Sequence, residues 1–446
     1  MTALETFGAY VAQGAHGNTP ALRETITQHV IDTVAAWVAT AAMPEAWNID
    51  AHRAHVSDEI SGPAMDIMAD SALVRMSEID SIHLGSMITP GAFVVPAALA
   101  IAAARPKVEA DALVAAIASG LEAMVRLGET VDGPTILYRG IWPSNFAAAF
   151  GVATVAARLL GLNPQQTAHA LALALTTSAP GVGNVHGPAT SRWLAAGFNA
   201  RQGYMAALAA GQGFVSDTGL LEGNYLGNVF GISPKAGSLT DRLGERDVVS
   251  EISFKPWCAA RQTMAATQAF REIIDSGVAL DAVSSVEAAV PPSFLRMVDH
   301  GIDSDRMSRL TSLPYQMAIA VLDPQATFDV GGTRKVAGAV SGLMGKIKIS
   351  SDENLLQGFP AVWPARVVVH ANGQRHEKLV THIPGGSHRP LGTAGIADKF
   401  HRAADAIIGA GRVEALVAAS KGMLEGRTSP TALLAAIRDA CNSARG

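Results

Sequence analysis

The stretch Ser77–Pro96 contains the side chains that acid–base chemistry requires. Its sequence, SEIDSIHLGSMITPGAFVVP, places an acid, Asp80, and an imidazole, His83, ahead of a Thr89-Pro90-Gly91 turn and a run of small apolar residues. A polar loop that leads into a buried helix is a common position for catalytic groups, because the loop supplies the chemistry and the helix supplies rigidity. The alternative is an ordinary surface loop in which the acid caps a turn.

Sequence motifs for cofactor binding are absent or fit poorly. Gly181–Gly187 resembles a glycine-rich dinucleotide loop, but its spacing differs and no predicted strand precedes it, so a plain loop is favoured. The chain contains no Walker A, HExxH or GxSxG sequence, and its 13 histidines form no ligand cluster with cysteines or carboxylates. If the chain is an enzyme, we expect acid–base chemistry that uses neither a metal, a nucleotide nor any other cofactor.

The composition favours a large folded protein with two domains. A chain of 446 residues exceeds what a single core usually holds. With 49% hydrophobic and 16% charged residues, the sequence is too apolar for disorder and predicts a large core together with a subunit interface. The net charge of −5 and the absence of a basic patch argue against a nucleic-acid partner.

Cysteine usage and the apolar runs predict a cytoplasmic protein that does not bind membranes. The two cysteines, Cys258 and Cys441, are too few for a disulfide framework or a zinc site. The N-terminus lacks the basic start and the long apolar stretch of a signal peptide. The longest apolar run, Gly91–Ala104, is interrupted by Pro96 and is too short to span a bilayer.

The apolar periodicity changes along the chain. Helical spacing dominates to about residue 230, strand-like alternation appears after about residue 260, and alanine-rich helical patterns return near the C-terminus. Asn372-Gly373 is a hairpin signal between Arg366–His370 and Lys378–His382, because both positions of the turn favour positive φ. We therefore predict a large all-helical domain formed by both chain ends, residues 1–259 and 393–446, with a smaller inserted α+β domain, residues 260–392.

Six segments in chain order resemble the MmgE/PrpD family, which includes 2-methylcitrate dehydratase, cis-aconitate decarboxylase and iminodisuccinate epimerase. The segments are SEIDSIH with TPGAFVVPAALA, WPSNFAAAFGVATVAARLLGLN, SRWLAAGFNARQG, FKPWCAARQTM, SLPYQMA, and PGGSHRPLG with ADKF. The resemblance implies that the α+β domain is a lid and that the active site lies between the two domains. It also implies a homodimer, a small polycarboxylate substrate and no cofactor.

Four residues coincide with motifs of the family, and the resemblance implies that they are catalytic. Asp80 and His83 match the first acid and the histidine of an Asp-Asp-Thr-His loop. Lys255 matches the lysine of a Lys-Pro-x-x-Cys motif, whose cysteine is Cys258, and Tyr315 matches the tyrosine of Ser-Leu-Pro-Tyr. Structural alternatives remain for all four. Lys255 could be a surface charge, Tyr315 a core aromatic, His83 a core histidine and Asp80 a turn cap. For Cys258 a core position is favoured over nucleophilic chemistry.

Three positions depart from the family pattern. Thr89 and Trp142 stand where the family has histidines, and Arg192 replaces a lysine. Neither threonine nor tryptophan titrates near neutral pH, so chemistry that depends on those histidines is disfavoured. We expect all three residues to contact the substrate, Arg192 as a bidentate carboxylate clamp, and Tyr138 to lie at the rim of the pocket.

These departures favour an epimerase, closest in character to iminodisuccinate epimerase, that removes a proton α to a carboxylate and returns it to the other face. Lys255 together with Tyr315 or His83 would act as the two bases, and Asp80 would orient His83 and set its tautomer. A lysine or tyrosine base needs a lowered pKa to act at pH 7. The alternatives are a dehydratase or decarboxylase acting on 2-methylcitrate or cis-aconitate, and an inactive homologue that serves as a binding protein.

Overall fold

The computed structural model describes residues 1–14, 16–17, 19–57, 62–181, 189–303 and 305–445. The chain divides into two units. The first unit combines the residues up to 181 with Thr190–Ser253 and the C-terminal segment from Gly392, and the second is built on Phe254–Leu391. Lys255 and Cys258 therefore belong to the second unit, whereas the sequence-based boundary assigned them to the first. Beyond Gly181, the glycine-rich stretch considered above lies outside the described residues.

The first unit is built from helices. They are α1 Ala3–Gln13, α2 Pro20–Val38, α3 Pro44–Ser57, α4 Pro63–Met76, α5 Gly91–Ala103, α6 Ala110–Thr130, α7 Gly133–Leu137, α8 Pro143–Leu160, α9 Pro164–Thr176, α10 Ser191–Gly211, α11 Tyr225–Phe230, α12 Ala236–Thr240, α18 Gly392–Ile408, α19 Ala410–Leu424 and α20 Pro430–Ser443. Proline begins many of them, because its missing N–H costs nothing in the first turn. The described residues of this unit contain isolated β-bridges but no strand.

Close packing of α10 against α4 and α8 brings three helix ends together. A Cβ at Gly203 would lie 2.1 Å from the carbonyl oxygen of Ala149 in α8, and one at Gly197 would lie 2.1 Å from that of Met68 in α4. Only glycine permits these approaches. The end of α4 and the starts of α8 and α10 consequently meet, and the side chains at these three ends form much of the candidate site.

A buried ion pair joins the C-terminal helices to the N-terminal part of the first unit. Lys399 in α18 donates from Nζ to Asp32 Oδ1 at 2.5 Å and to the carbonyl oxygen of Ile79 at 2.7 Å. Both side chains are at most 2% exposed. Because Ile79 immediately precedes Asp80, the last part of the chain also holds the loop that carries the candidate catalytic residues.

The apolar run Gly91–Ala104 folds as α5, which continues through Pro96 instead of ending there. Pro96 is the sixth residue of the helix, so its ring removes one hydrogen bond near the first turn and leaves the rest of the helix intact. In the part of the chain that the structure describes, no helix is both long and apolar enough to cross a membrane.

The second unit contains a small mixed sheet packed on helices. Its elements are α13 Arg261–Asp275, β1 Val283–Val290, α14 Pro292–Val298, α15 Arg306–Thr311, α16 Leu313–Leu322, α17 Gly338–Met344, β2 Ile347–Ser351, β3 Ala365–Ala371 and β4 Gln374–Val380. The strand order is β2-β1-β3-β4, with β1 parallel to β2 and antiparallel to β3, and β3 antiparallel to β4. Helix α13 packs on β3 and β4.

The predicted hairpin between β3 and β4 is confirmed. Asn372 and Gly373 have φ values of 51° and 73°, as a type I′ turn requires. The two-residue turn makes Ala371 pair directly with Gln374. Strand β4 therefore starts four residues before the alternating run predicted from Lys378, and it ends at Val380.

Candidate functional site

The loop between α4 and α5 is buried and hydrogen-bonded to a distant part of the first unit. Ile82 and Ser253 exchange two backbone hydrogen bonds of 2.8 and 2.9 Å, and the N–H of His83 donates to the carbonyl oxygen of Ile88 at 2.7 Å. Asp80, His83 and Thr89 are 1%, 5% and 4% exposed. The loop is therefore an interior element rather than the surface loop that the sequence also allowed.

Both ring nitrogens of His83 have defined partners. Nδ1 accepts the backbone N–H of Ser86 at 3.2 Å and lies 2.9 Å from the Ser86 hydroxyl. Because a backbone N–H only donates, Nδ1 must be the acceptor, and the proton of the neutral ring is on Nε2. Nε2 lies 3.4 Å from Oε2 of Glu251.

The expectation that Asp80 orients His83 is wrong. Asp80 Oδ1 lies 3.4 Å from Nη1 of Arg75, whereas Ser86 and Glu251 hold the two edges of the imidazole. Glu251 reaches His83 because the pairing of Ile82 with Ser253 brings its segment beside the loop. A separation of 168 residues between His83 and Glu251 concealed this partner in the sequence.

Glu251 belongs to an ion-pair network with Arg246 and Glu129. Arg246 donates from Nε and Nη2 to the two oxygens of Glu251, at 2.8 and 2.5 Å, and from Nη1 and Nη2 to those of Glu129, at 2.9 and 2.7 Å. Burial alone would raise the pKa of Glu251, but hydrogen bonds from Arg246 and His83 lower it to about 2. The same carboxylates raise the pKa of Arg246. Glu251 is thus an anion at neutral pH.

In the part of the chain that the structure describes, one group of side chains has donor atoms that could surround a metal ion. Ligand atoms of His83, Glu129 and Glu251 lie within 4.8 Å of one another. Arg246, however, already bonds all four carboxylate oxygens. A metal ion between these side chains would have to displace the guanidinium of Arg246, which bonds both carboxylates. The carboxylates therefore fit Arg246 better than a metal ion.

A second cluster lies at the meeting point of α4, α8 and α10. The guanidinium of Arg75 pairs with Glu78 at 3.0 Å and with Asp80, and its Cζ lies 5.6 and 5.7 Å from the ring centroids of Trp142 and Trp193. Burial alone would lower the pKa of Arg75, but Asp80 and Glu78 raise it. Arg75 therefore remains a cation, covered on two sides by tryptophan.

Thr89 and Arg192 border this cluster. The backbone N–H and the hydroxyl of Thr89 both contact Oγ of Ser144, at 2.9 and 3.0 Å, and Ser144 lies two residues after Trp142. The Cζ of Arg192 lies 5.5 Å from the ring of Trp193. Asp80 and Trp142 thus share Arg75 as a partner, and Trp142 and Arg192 both contact Trp193. Tyr138 follows α7 and is 41% exposed.

In the second unit, Lys255 is buried in a segment shaped by a glycine. The N–H of Phe254 donates to the carbonyl oxygen of Gly385 at 2.8 Å. Gly385 has a φ of 100°, and a Cβ there would lie 2.0 Å from the Phe254 carbonyl oxygen, so no other residue fits. The PGG sequence near residue 385 therefore fixes the backbone beside Lys255, which is 3% exposed.

Tyr315 lies in the first turn of α16 and lines a small cleft with Cys258, Arg306, Arg309 and Gln316. Burial raises the pKa of Tyr315, an effect that the neighbouring Arg309 only partly offsets. A phenol whose pKa is raised stays protonated at pH 7, so Tyr315 suits hydrogen-bond donation and not the role of base. Cys258 is buried with its N–H bonded to the Thr327 carbonyl, as expected for a core cysteine.

Two models of one protein family match this chain. Residues 5–235 match the MmgE/PrpD N-terminal domain, and residues 257–421 match the MmgE/PrpD C-terminal domain. The chain belongs to the MmgE/PrpD family. Enzymes of this family act on small carboxylic acids.

Two curated relatives within the MmgE/PrpD family show a more specific similarity. A cis-aconitate decarboxylase from Aspergillus terreus is 30% identical over 174 residues, which cover 37% of this chain and 34% of that protein. A cis-aconitate decarboxylase-like protein from Aspergillus oryzae is 25% identical over 172 residues, or 37% of this chain and 36% of that protein. The alignments span about a third of the length of these relatives.

Several residues of the site were not predicted from the sequence. They include Arg75, Glu129, Ser144, Trp193, Arg246 and Glu251. Trp193 directly follows Arg192, and Glu251 comes four residues before Lys255. Proximity to residues already selected was therefore the available signal for these two. No sequence signal marked Arg75 or Arg246, because a single arginine in a helix or loop is ordinarily a surface residue.

Proposed function

We propose that this chain is a cofactor-independent lyase that removes carbon dioxide from a small polycarboxylic acid, with cis-aconitate as the first substrate to test. The observation that carries the proposal is the setting of His83. Its ring is buried, its Nδ1 is occupied by Ser86, and its Nε2 faces the carboxylate of Glu251. Such an imidazole is suited to carry one proton. The partial similarity to cis-aconitate decarboxylases supports the same class of reaction.

Decarboxylation needs a single proton carrier. When the bond to the departing carboxylate breaks, its electron pair stays on carbon and carbon dioxide leaves, so no base takes part. The carbanion then accepts one proton, which protonated His83 gives up, and the ring becomes neutral. Dehydration instead requires one group to remove a proton and another to protonate the departing hydroxide. Because Thr89 and Trp142 do not titrate, the one-proton reaction fits this chain better.

Fixed positive charge would stabilise the carbanion. In the proposal, Arg192 binds a substrate carboxylate through its planar fork of N–H donors, and Trp142 shapes the pocket beside it. For Lys255 and Tyr315, which are buried in the second unit, we propose the roles of a cation and of a hydrogen-bond donor.

Epimerisation of iminodisuccinate is the second candidate. The observation that favours it is the bond between Thr89 and Ser144, which places a non-titrating pair where other family members have a histidine. Epimerisation loses no group, so it needs no acid for a leaving group. It does need proton carriers on both faces of the carbon, and we assign one of these roles to His83.

One experiment separates the candidates. The purified protein is incubated in heavy water with cis-aconitate, 2-methylcitrate or iminodisuccinate, and the products are followed by proton NMR. A decarboxylase releases carbon dioxide and places one deuteron on the product, a dehydratase forms an alkene, and an epimerase exchanges the Cα proton without losing a group.

Variants of two histidines connect the reaction to the site. We expect His83→Asn to lower kcat by roughly 100-fold or more, while His376→Asn, in strand β4, leaves it unchanged. Exchange at Cα of iminodisuccinate alone would replace the decarboxylase proposal with the epimerase. Turnover of none of the three substrates would favour an inactive homologue.

A further inference from the structure

We propose that Glu251 is the positioning residue for His83 and that Arg246 and Glu129 hold Glu251 in place. The proposal deepens the proposed function, since it rests on His83 being the proton carrier. It assigns a role to three residues that the resemblance to the family did not bring forward.

The first argument is geometric. The backbone N–H of Ser86 and the carboxylate of Glu251 approach opposite edges of the same ring, at Nδ1 and Nε2. The Ser86 contact makes Nδ1 the acceptor, and the Glu251 contact gives the Nε2 proton an acceptor. Together they select one tautomer and one ring orientation, which a single partner would not.

The second argument concerns the rigidity of Glu251. A glutamate that is 39% exposed would ordinarily sample several rotamers. Here both of its oxygens accept hydrogen bonds from Arg246, whose guanidinium is fixed in turn by two hydrogen bonds to Glu129 in α6. Such bidentate pairs fix direction as well as charge. The network thereby anchors the carboxylate to a long helix of the first unit.

The third argument is charge matching. Glu251 and Glu129 contribute two negative charges and Arg246 one positive charge, so the network has a net negative charge beside Nε2 of His83. In the described residues, the charged groups that contact Glu251 are Arg246 and His83. The negative charge therefore lies on the side of the nitrogen that carries the proton, which supports the same tautomer as the Ser86 contact.

The test replaces Glu251 by glutamine, which keeps the shape of the side chain and removes its charge. We expect Glu251→Gln to lower kcat by roughly 10- to 100-fold, as loss of an orienting partner typically does. Glu251→Asp should restore part of the rate. Glu377→Gln is the matched control, since Glu377 also pairs with an arginine, Arg375, and is 34% exposed.

A second measurement does not depend on turnover. Nitrogen-15 NMR of the histidine rings reports which nitrogen of His83 is protonated. We expect the Nε2-protonated tautomer in the wild type and a mixture in Glu251→Gln. Identical ring signals in the two proteins would overturn the positioning role, as would a shift of the His83 signals on adding Zn²⁺, which would identify a cation site. If no substrate turns over but the tautomer changes, the proposed function fails and the positioning role stands.

Discussion

The two sides of the loop between α4 and α5 differ in their ability to move protons. On one side, His83 faces Glu251, Arg246 and Glu129, a network of titratable groups. On the other, Thr89 bonds Ser144 beside Trp142 and Trp193, which cover the Arg75 cation and have no group that titrates near neutral pH. Under the proposed function, the side with His83 would carry the proton and the other side would bind the substrate.

The largest expected effect comes from removing the proton carrier. His83→Asn should reduce kcat by roughly 100- to 10,000-fold, the usual contribution of a positioned acid or base. The substrate should still bind, because Arg192, the proposed carboxylate clamp, is unchanged. Steady-state kinetics together with a binding measurement would check this. A variant that retains kcat within tenfold would move the proton carrier to another residue and remove the contrast between the two sides.

Removing the buried cation on the other side should affect stability first. Arg75→Met leaves Asp80 and Glu78 without the guanidinium that contacts them, and uncompensated buried charges typically cost about 3–5 kcal/mol. Denaturant unfolding measures the change in the free energy of unfolding. Arg427→Met is the control, because the pair of Arg427 with Glu425 is exposed and should contribute no more than about 1 kcal/mol. Equal losses in both variants would contradict the assignment.

The tryptophan wall should influence binding more than chemistry. Trp142→Ala removes a ring that lies against Arg75 and Trp193, and a cation–π contact of this kind is worth about 1 kcal/mol. We expect KM to rise roughly fivefold to tenfold, with kcat within about threefold of the wild type, and Trp142→Phe to recover much of the loss. A large fall in kcat with unchanged KM would show that Trp142 takes part in the chemistry.

The smallest effect concerns the pH dependence of stability. The pKa of Glu251 is lowered to about 2 in the folded protein, from an ordinary value of 4.5. The contribution of its charge is therefore present above pH 4.5 and is lost as the pH falls toward 2. The midpoint difference between the wild type and Glu251→Gln should shrink across this range. Thermal unfolding at several pH values tests this, and a constant difference would mean that the Glu251 charge does not stabilise the fold.

Local sequence signals predicted much of the fold. Gly161, with a φ of 70°, ends α8, and Pro164 begins α9, as the preferences of glycine after a helix and of proline in the first turn predict. Asn372-Gly373 forms the predicted turn. These features depend on the backbone preferences of one or two residues, so they can be recognised without knowledge of tertiary contacts.

The site was predictable only where a family motif covered it. The motifs selected Asp80 and His83, but the partner of His83 lies 168 residues away and is brought close by the bridge between Ile82 and Ser253. Such a contact depends on tertiary packing, which periodicity does not encode. The prediction that Asp80 orients His83 was wrong for this reason. Two residues that are close in sequence need not be in contact.

The buried ion pair of Lys399 and Asp32 has a consequence for biosynthesis. The loop before Asp80 is held by a residue more than 300 positions later, so a nascent chain cannot complete this part of the first unit until α18 has left the ribosome. The segment Phe254–Leu391 is continuous and emerges earlier. Because synthesis starts at the N-terminus, the N-terminal helices would be made before the C-terminal helices that pack on them. The loop would then reach its final conformation among the last steps of folding.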